Sequence, residues 1–91
     1  MLILALTGSV GTGKAKGSAP HNAPADVILV RDRLINLGFT WVGGTAKGNE
    51  KEFIRTIKLF QSICAGSGKL IGDGRIDVKK NTHEWLESEN A

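Results

Sequence analysis

The stretch PADVILVRDRLINLG, Pro24 to Gly38, decides the reading of this chain as a helical protein. Proline suits the first turn of a helix, where its missing N–H leaves no bond unmade. Asp26 places negative charge near the helix start, and Gly38 can leave the helix through left-handed backbone. At about 100° per residue, Val27, Val30, Leu34 and Leu37 share one face, with Arg31, Asp32, Arg33 and Asn36 spread around the rest. The spacing predicts a helix over 24–37. Ile28 and Ile35 form a separate ridge that needs its own cover, either the apolar run Leu2 to Leu6 or a partner protein.

Toward the C-terminus, Asn49 with Glu52 resembles a capping box and Gly66 is a terminator, which predicts a second helix over 50–64. Phe53, Ile57, Phe60 and Cys64 line one side of it, and Lys51, Arg55 and Lys58 the opposite side. Cys64 therefore reads as a buried, inert thiol. The basic stripe reads as a solvated surface or as a contact for an anionic ligand. After the glycine-rich turn Ala65 to Gly74, the segment Arg75 to Val78 leads into a short third helix near Lys79 to Ser88, anchored by Trp85 and Leu86.

Toward the N-terminus, Met1 to Leu6 is apolar and reads as a short strand; no Lys or Arg precedes the run, and it is too short for a signal peptide. Gly8 to Ala23 reads as a flexible loop or linker. Gly8, Gly13 and Lys14 have the spacing of a phosphate-binding loop, but Ala15 stands where a Mg²⁺-holding hydroxyl is required. Gly17, Pro20 and Pro24 also interrupt the helix whose N-terminus would face the phosphates, which leaves a plain glycine loop. The chain thus divides into 1–22, an N-terminal strand and glycine-rich loop, and 23–91, a three-helix domain. The fold class is mainly α, a small three-helix bundle with a short N-terminal strand or extended segment.

Composition narrows the function. The 91 residues, 41% apolar and 23% charged, suit one small core that buries about 64% of the chain surface. The runs Leu2 to Leu6 and Val27 to Val30 fall short of the roughly 18 residues a membrane span needs. A single cysteine excludes an internal disulfide and a Cys-rich metal cage, and a net charge of +3 permits an acidic partner without requiring one. His21 and His83 have no third ligand near them in sequence. Asp73, Arg75 and Asp77 do not make a calcium loop, because its third position is Arg and Val78 takes the place of the turn glycine. No carboxylate sits in the apolar setting that would raise its pKa, so the chain reads as non-catalytic and without a cofactor.

Taken in order, Asp26-Val27, Val30, Leu34, Leu37-Gly38-Phe39, Thr56-Ile57-Lys58-Leu59-Phe60-Gln61, Asp73-Gly74-Arg75-Ile76-Asp77, Thr82 and Leu86 resemble the peptidoglycan-binding-like domain. That family is a three-helix cell-wall module found beside many cell-wall hydrolases, and the match spans roughly residues 23 to 88. The glycine-rich extension before Asp26 is similar to that of phage and secretion-associated members, where the module can stand nearly alone. The chain departs from the family pattern at Arg31, where Gln is usual; at Gly43-Gly44-Thr45, where an Asp-Gly turn is usual; and at Phe53, where Thr opens the second helix.

The resemblance implies non-catalytic binding of peptidoglycan, as an accessory to a cell-wall hydrolase, phage lysis or a secretion system. It places the chain in the periplasm or at the cell surface, reached without a visible signal peptide. A groove for stem-peptide carboxylates and sugar hydroxyls would draw on Arg75, Asp73, Gln61, Lys58 and Trp41. Arg75 offers a planar fork to a carboxylate, or alternatively a salt bridge to Asp73 or Asp77. Gln61 offers its amide to a ligand or to nearby backbone. Trp41 offers a stacking face or a core anchor. Two other classes remain open. An adaptor on the same scaffold would have lost the wall ligand and would use Ile28 and Ile35 as its contact. A nucleic-acid module would use Lys51, Arg55 and Lys58, against which stands a connection of about fifteen residues where a helix-turn-helix needs three or four.

Overall fold

The computed structural model describes residues 3–13, 19–42, 47–69 and 72–88. In chain order these form β1 (Val10–Gly11), α1 (Pro24–Asn36), a 3₁₀ turn (Thr40–Val42), α2 (Lys51–Cys64), β2 (Arg75–Ile76) and α3 (Asn81–Glu87). The chain is small and mostly helical, with a two-stranded ribbon beside the helices.

The helix ends show why these segments stop where they do. α1 begins at Pro24, and beyond Leu37 the Gly38 N–H donates to the Ile35 carbonyl at 3.0 Å while the Phe39 N–H donates to the Leu34 carbonyl at 3.0 Å. With Gly38 at φ 108°, this is a Schellman ending, and it explains the Leu-Gly-Phe exit. α2 ends the same way: Gly66 (φ 72°) donates to Ile63 at 3.0 Å and Ser67 to Ser62 at 2.9 Å. At the start of α2 the expected capping box is absent. The chain enters one residue later, through Glu50 in extended backbone with no side-chain cap, so Asn49 lies outside the cap position. α3, seven residues over Asn81–Glu87, is shorter than the expected Lys79 to Ser88.

Val27, Val30 and Leu34 of α1 meet Phe53, Ile57 and Phe60 of α2 and Leu86 of α3 in one core with Leu4, Leu6, Val10, Val42 and Ile76. Burying a side chain of this size stabilises the fold by about 1.5–3 kcal/mol. Ile35 packs against this core, and Ile28 is half-buried, so neither stands out as an open apolar ridge. Cys64 and Trp85 are also half-buried at the core margin.

The N-terminal part differs most from expectation. The described part of the expected run, Ile3 to Leu6, forms no strand; β1 lies at Val10–Gly11, where it pairs antiparallel with β2 in the register Val10 to Ile76 and Gly11 to Arg75. Met1 and Leu2 lie outside the described residues. Leu4 and Leu6 are nevertheless buried: the Leu6 N–H donates to the Leu4 carbonyl at 2.9 Å, and distant side chains hold the backbone of Leu4 and of the following Thr7 and Gly8 in place of a ladder. The Leu4 N–H donates to Glu87 Oε2 at 2.9 Å. His83 accepts the Lys79 N–H on Nδ1 at 2.8 Å, so its Nε2–H donates to the Leu4 carbonyl at 2.8 Å. The buried carboxylate of Asp26 accepts the Thr7 N–H (3.1 Å), the Thr7 hydroxyl (2.8 Å) and the Gly8 N–H (3.1 Å).

The segment expected to be a linker is therefore ordered at both of its described ends. Asn22 mimics a strand partner: its Oδ1 accepts the Gly11 N–H at 2.8 Å and its Nδ2 donates to the Gly11 carbonyl at 3.0 Å. Gly11 itself, at φ 110°, permits the ribbon, since a Cβ there would collide with the Gly74 carbonyl. Lys14, Ala15 and Gly17 of the glycine loop, and Gly43-Gly44-Thr45, lie outside the described residues.

Candidate functional site

The last turn of α2, the turn into β2 and the start of α3 converge on Gln61. This side chain is only 7% exposed, and its amide joins all three elements. Oε1 accepts the Gly74 N–H at 2.9 Å, while Nε2 faces Asp73 Oδ1 (2.9 Å), the Arg75 carbonyl (3.0 Å) and Thr82 Oγ1 (3.0 Å). Asp73 Oδ1 also accepts the Arg75 N–H at 2.9 Å, which closes the turn on itself. Arg75 then folds inward, its side chain 8% exposed, with Nε donating to Asp77 Oδ1 at 2.9 Å and one terminal nitrogen to the Gly13 carbonyl at 3.2 Å.

Over this knot lies a groove of about 470 Å³, lined by Gln61, Ala65, Gly72, Asp73, Arg75, Asp77, Lys80, Asn81, Thr82 and Trp85. Its floor is the hydrogen-bonded knot; its rim carries the exposed Asp73, Lys80 and Asn81. A surface with carboxylates, an ammonium, an amide and an aromatic edge suits a zwitterionic, amide-rich ligand.

Of the five residues expected in one site, the structure brings Gln61, Asp73 and Arg75 together in one groove; Lys58 packs beside the same turn, against Gly72 and Gly74, but does not line that groove, and Trp41 lies elsewhere. Lys58 lines a separate concavity of about 360 Å³ with Lys51, Glu52, Ile54 and Arg55. Trp41, on the 3₁₀ turn, lines a third of about 440 Å³ with Glu52, Arg55, Thr56 and Leu59. It is 53% exposed, so it is not a core anchor. Its indole N–H donates to Thr56 Oγ1 at 3.0 Å, and its ring meets Phe39 edge-on with centroids 5.6 Å apart.

Lys80 and Asn81 join the groove without any sequence signal that marked them, because only the close packing of the turn against α3 brings them to it, whereas Asp77 enters as the salt-bridge partner of Arg75 that the sequence offers as an alternative. Trp85 was readable as a core anchor, and it serves partly as one while its remaining surface lines the groove.

The other chemistry-bearing residues stay apart. His21 is exposed in the N-terminal loop, whereas His83 is buried against Leu4. Among the described residues no three His, Cys, Asp or Glu side chains converge as a metal site. Burial pushes the Cys64 thiol above its ordinary pKa, which favours the unreactive protonated form. No described helix is long and apolar enough to cross a membrane. No family model, curated protein or solved structure matches the chain.

Proposed function

We propose that this chain is a non-catalytic module that binds bacterial cell-wall peptidoglycan through the groove between α2, the Asp73-Gly74 turn and α3. The observation that supports it is the convergence of Gln61, Asp73 and Arg75 in one groove, since these are residues that carry the resemblance to the peptidoglycan-binding-like family. In this reading Gln61 and Arg75 set the shape of the groove, because their polar atoms are engaged within the fold. Contact with the stem peptide falls to the rim: Lys80 to a carboxylate, Asp73 to an amine, and Asn81 to an amide.

The test is retention of the purified full chain on insoluble peptidoglycan sacculi, at low salt and at about 0.5 M, where screening removes nonspecific attraction. A Lys80→Ala, Asn81→Ala double variant runs alongside; both side chains are exposed, so the fold should tolerate the change. Retention that survives salt and falls about tenfold in the variant is the expected result, from the loss of two polar contacts. No retention, or retention abolished by salt, would overturn the reading and leave an adaptor on the same scaffold.

A further inference from the structure

Trp41 is the aromatic side chain that the fold holds in place without covering. The indole is more than half exposed, and it is fixed rather than loose. Its N–H donates to Thr56 Oγ1, whose own hydroxyl donates to the Glu52 carbonyl at 2.6 Å, so a chain of bonds ties the ring to the first turns of α2. Behind it, Phe39 meets Trp41 at 83° and Phe60 at 87°, a relay of edge contacts that reaches the core. With the N–H consumed, the ring presents only carbon surface to a ligand, and little rotamer freedom remains to be lost on binding.

The polar groups beside the ring fix the chemistry of the ligand. The concavity of about 440 Å³ next to Trp41 carries one carboxylate, Glu52, and one guanidinium, Arg55. Both are exposed, and neither side chain has a hydrogen bond or ion pair with another described residue. One acceptor and one donor of opposite charge sum to zero, so the concavity carries no net charge of its own to draw an anion. The groups suit hydroxyls, which donate to a carboxylate and accept from a guanidinium. A flat ligand with an apolar face and a hydroxyl-bearing edge meets both demands, and that is the description of a sugar ring.

We infer that Trp41, Glu52 and Arg55 form a saccharide-binding shelf, separate from the groove at Gln61. The pyranose stacks its C–H face on the indole, and its hydroxyls bridge Glu52 and Arg55. This site stands on its own geometry and does not need the groove to bind peptidoglycan. A polyanion is the competing occupant, since Lys51 and Lys58 line the adjoining concavity with Arg55. Glu52, which lies at the border of both concavities, opposes it.

The test is a titration of the ¹⁵N-labelled full chain with a neutral N-acetylated chitooligosaccharide, followed through its two indole N–H signals, those of Trp41 and Trp85. A Trp41→Phe variant assigns the Trp41 signal by deleting it. The expected result is a saturable shift of the Trp41 signal that persists at about 0.5 M salt, where a charge-driven contact would be screened. The affinity should fall about tenfold in Glu52→Ala and in Arg55→Ala, each the loss of one charge-assisted bond on an exposed side chain. It should be unchanged in the Lys80→Ala, Asn81→Ala groove variant, so success here and failure on sacculi are separate outcomes. No shift of the Trp41 signal with the oligosaccharide would overturn the inference. So would a shift produced only by a single-stranded oligonucleotide and lost in salt.

Discussion

Replacing Gln61 by Met separates two roles that sequence alone leaves open, a ligand amide and a structural one. Methionine keeps the length and most of the volume of glutamine, so the core sees little change of shape. What disappears is the amide that serves the Gly74 N–H, the Arg75 carbonyl, Thr82 Oγ1 and Asp73 Oδ1. The Gly74 N–H is buried and would lose its acceptor, at about 1–3 kcal/mol, and buried Thr82 adds about 1 kcal/mol. Asp73 is exposed and recovers water, so its loss is small. The sum is about 2–4 kcal/mol, against a total stability of roughly 5–14 kcal/mol for a chain of this length. With an unfolding entropy of about 0.19 kcal/mol/K, the midpoint should fall by about 10–21 °C. Thermal and urea unfolding followed by circular dichroism measure this directly, and an unchanged urea slope would show that the comparison is sound. A loss below about 1 kcal/mol, accompanied by loss of sacculus binding, would refute the structural role and make Gln61 a ligand residue.

Three further outcomes follow from other parts of the fold. Asp26→Ala should cost about 3 kcal/mol, because it strips the acceptor from two backbone N–H groups and the Thr7 hydroxyl; a double-mutant cycle with Thr7→Ala should show coupling of about 1 kcal/mol, and additivity would contradict it. Gly11→Ala should detach β1 from β2, since the new Cβ meets the Gly74 carbonyl and φ is 110°; hydrogen exchange at Thr12, whose N–H donates to Gly74 at 2.8 Å, should rise toward that of an open loop. Cys64 holds its proton to higher pH in the folded chain than in the unfolded one. Its contribution to stability is therefore complete below about pH 8.5, the unfolded thiol value, and is lost as pH rises through the raised folded value. The difference in urea midpoint between wild type and Cys64→Ala should accordingly shrink from pH 7 to about pH 10, and a constant difference would speak against it.

How much of this was legible depended on how local each cause is. α1 could be read almost residue by residue because Pro24, Asp26, the apolar period and Gly38 act within a turn or two of themselves. The start of α2 was misplaced by one residue because a cap depends on the backbone angle with which the chain arrives, and Asn49 carries no record of that. The N-terminal run was the largest miss. An apolar stretch at Leu4 and Leu6 reads as a strand, yet Leu4 is bonded to His83 and Glu87 and the next residues, Thr7 and Gly8, to Asp26, partners that no local pattern connects to them. The true strand is two residues long and exists only because Ile76 and Arg75 come alongside. The site divides in the same way. Gln61, Asp73 and Arg75 were visible as a group, but Lys58, one helical turn before Gln61, faces a different concavity, and helix spacing alone gave no reason to separate them.

The residues that carry the resemblance to a wall-binding family have, in this chain, an internal job each. Asp26 clamps the N-terminal segment, Gly38 turns the chain out of α1, Gln61 and Gly74 bind one another, and Arg75 pairs with Asp77 beneath the groove. Such a set specifies a scaffold: any sequence that keeps it will rebuild the same turn and the same packing of α2 against α3. It does not specify a ligand, because its polar atoms are largely spent before a ligand arrives. On the proposed readings, recognition is written in the exposed Asp73 and in residues that the set leaves out, namely Lys80, Asn81 and Trp85 on the groove and Trp41, Glu52 and Arg55 on the shelf. Substitutions divide accordingly into two kinds. Changes in the first group should appear as lost stability whatever ligand is offered, and changes in the second as lost or altered binding in a chain that still folds.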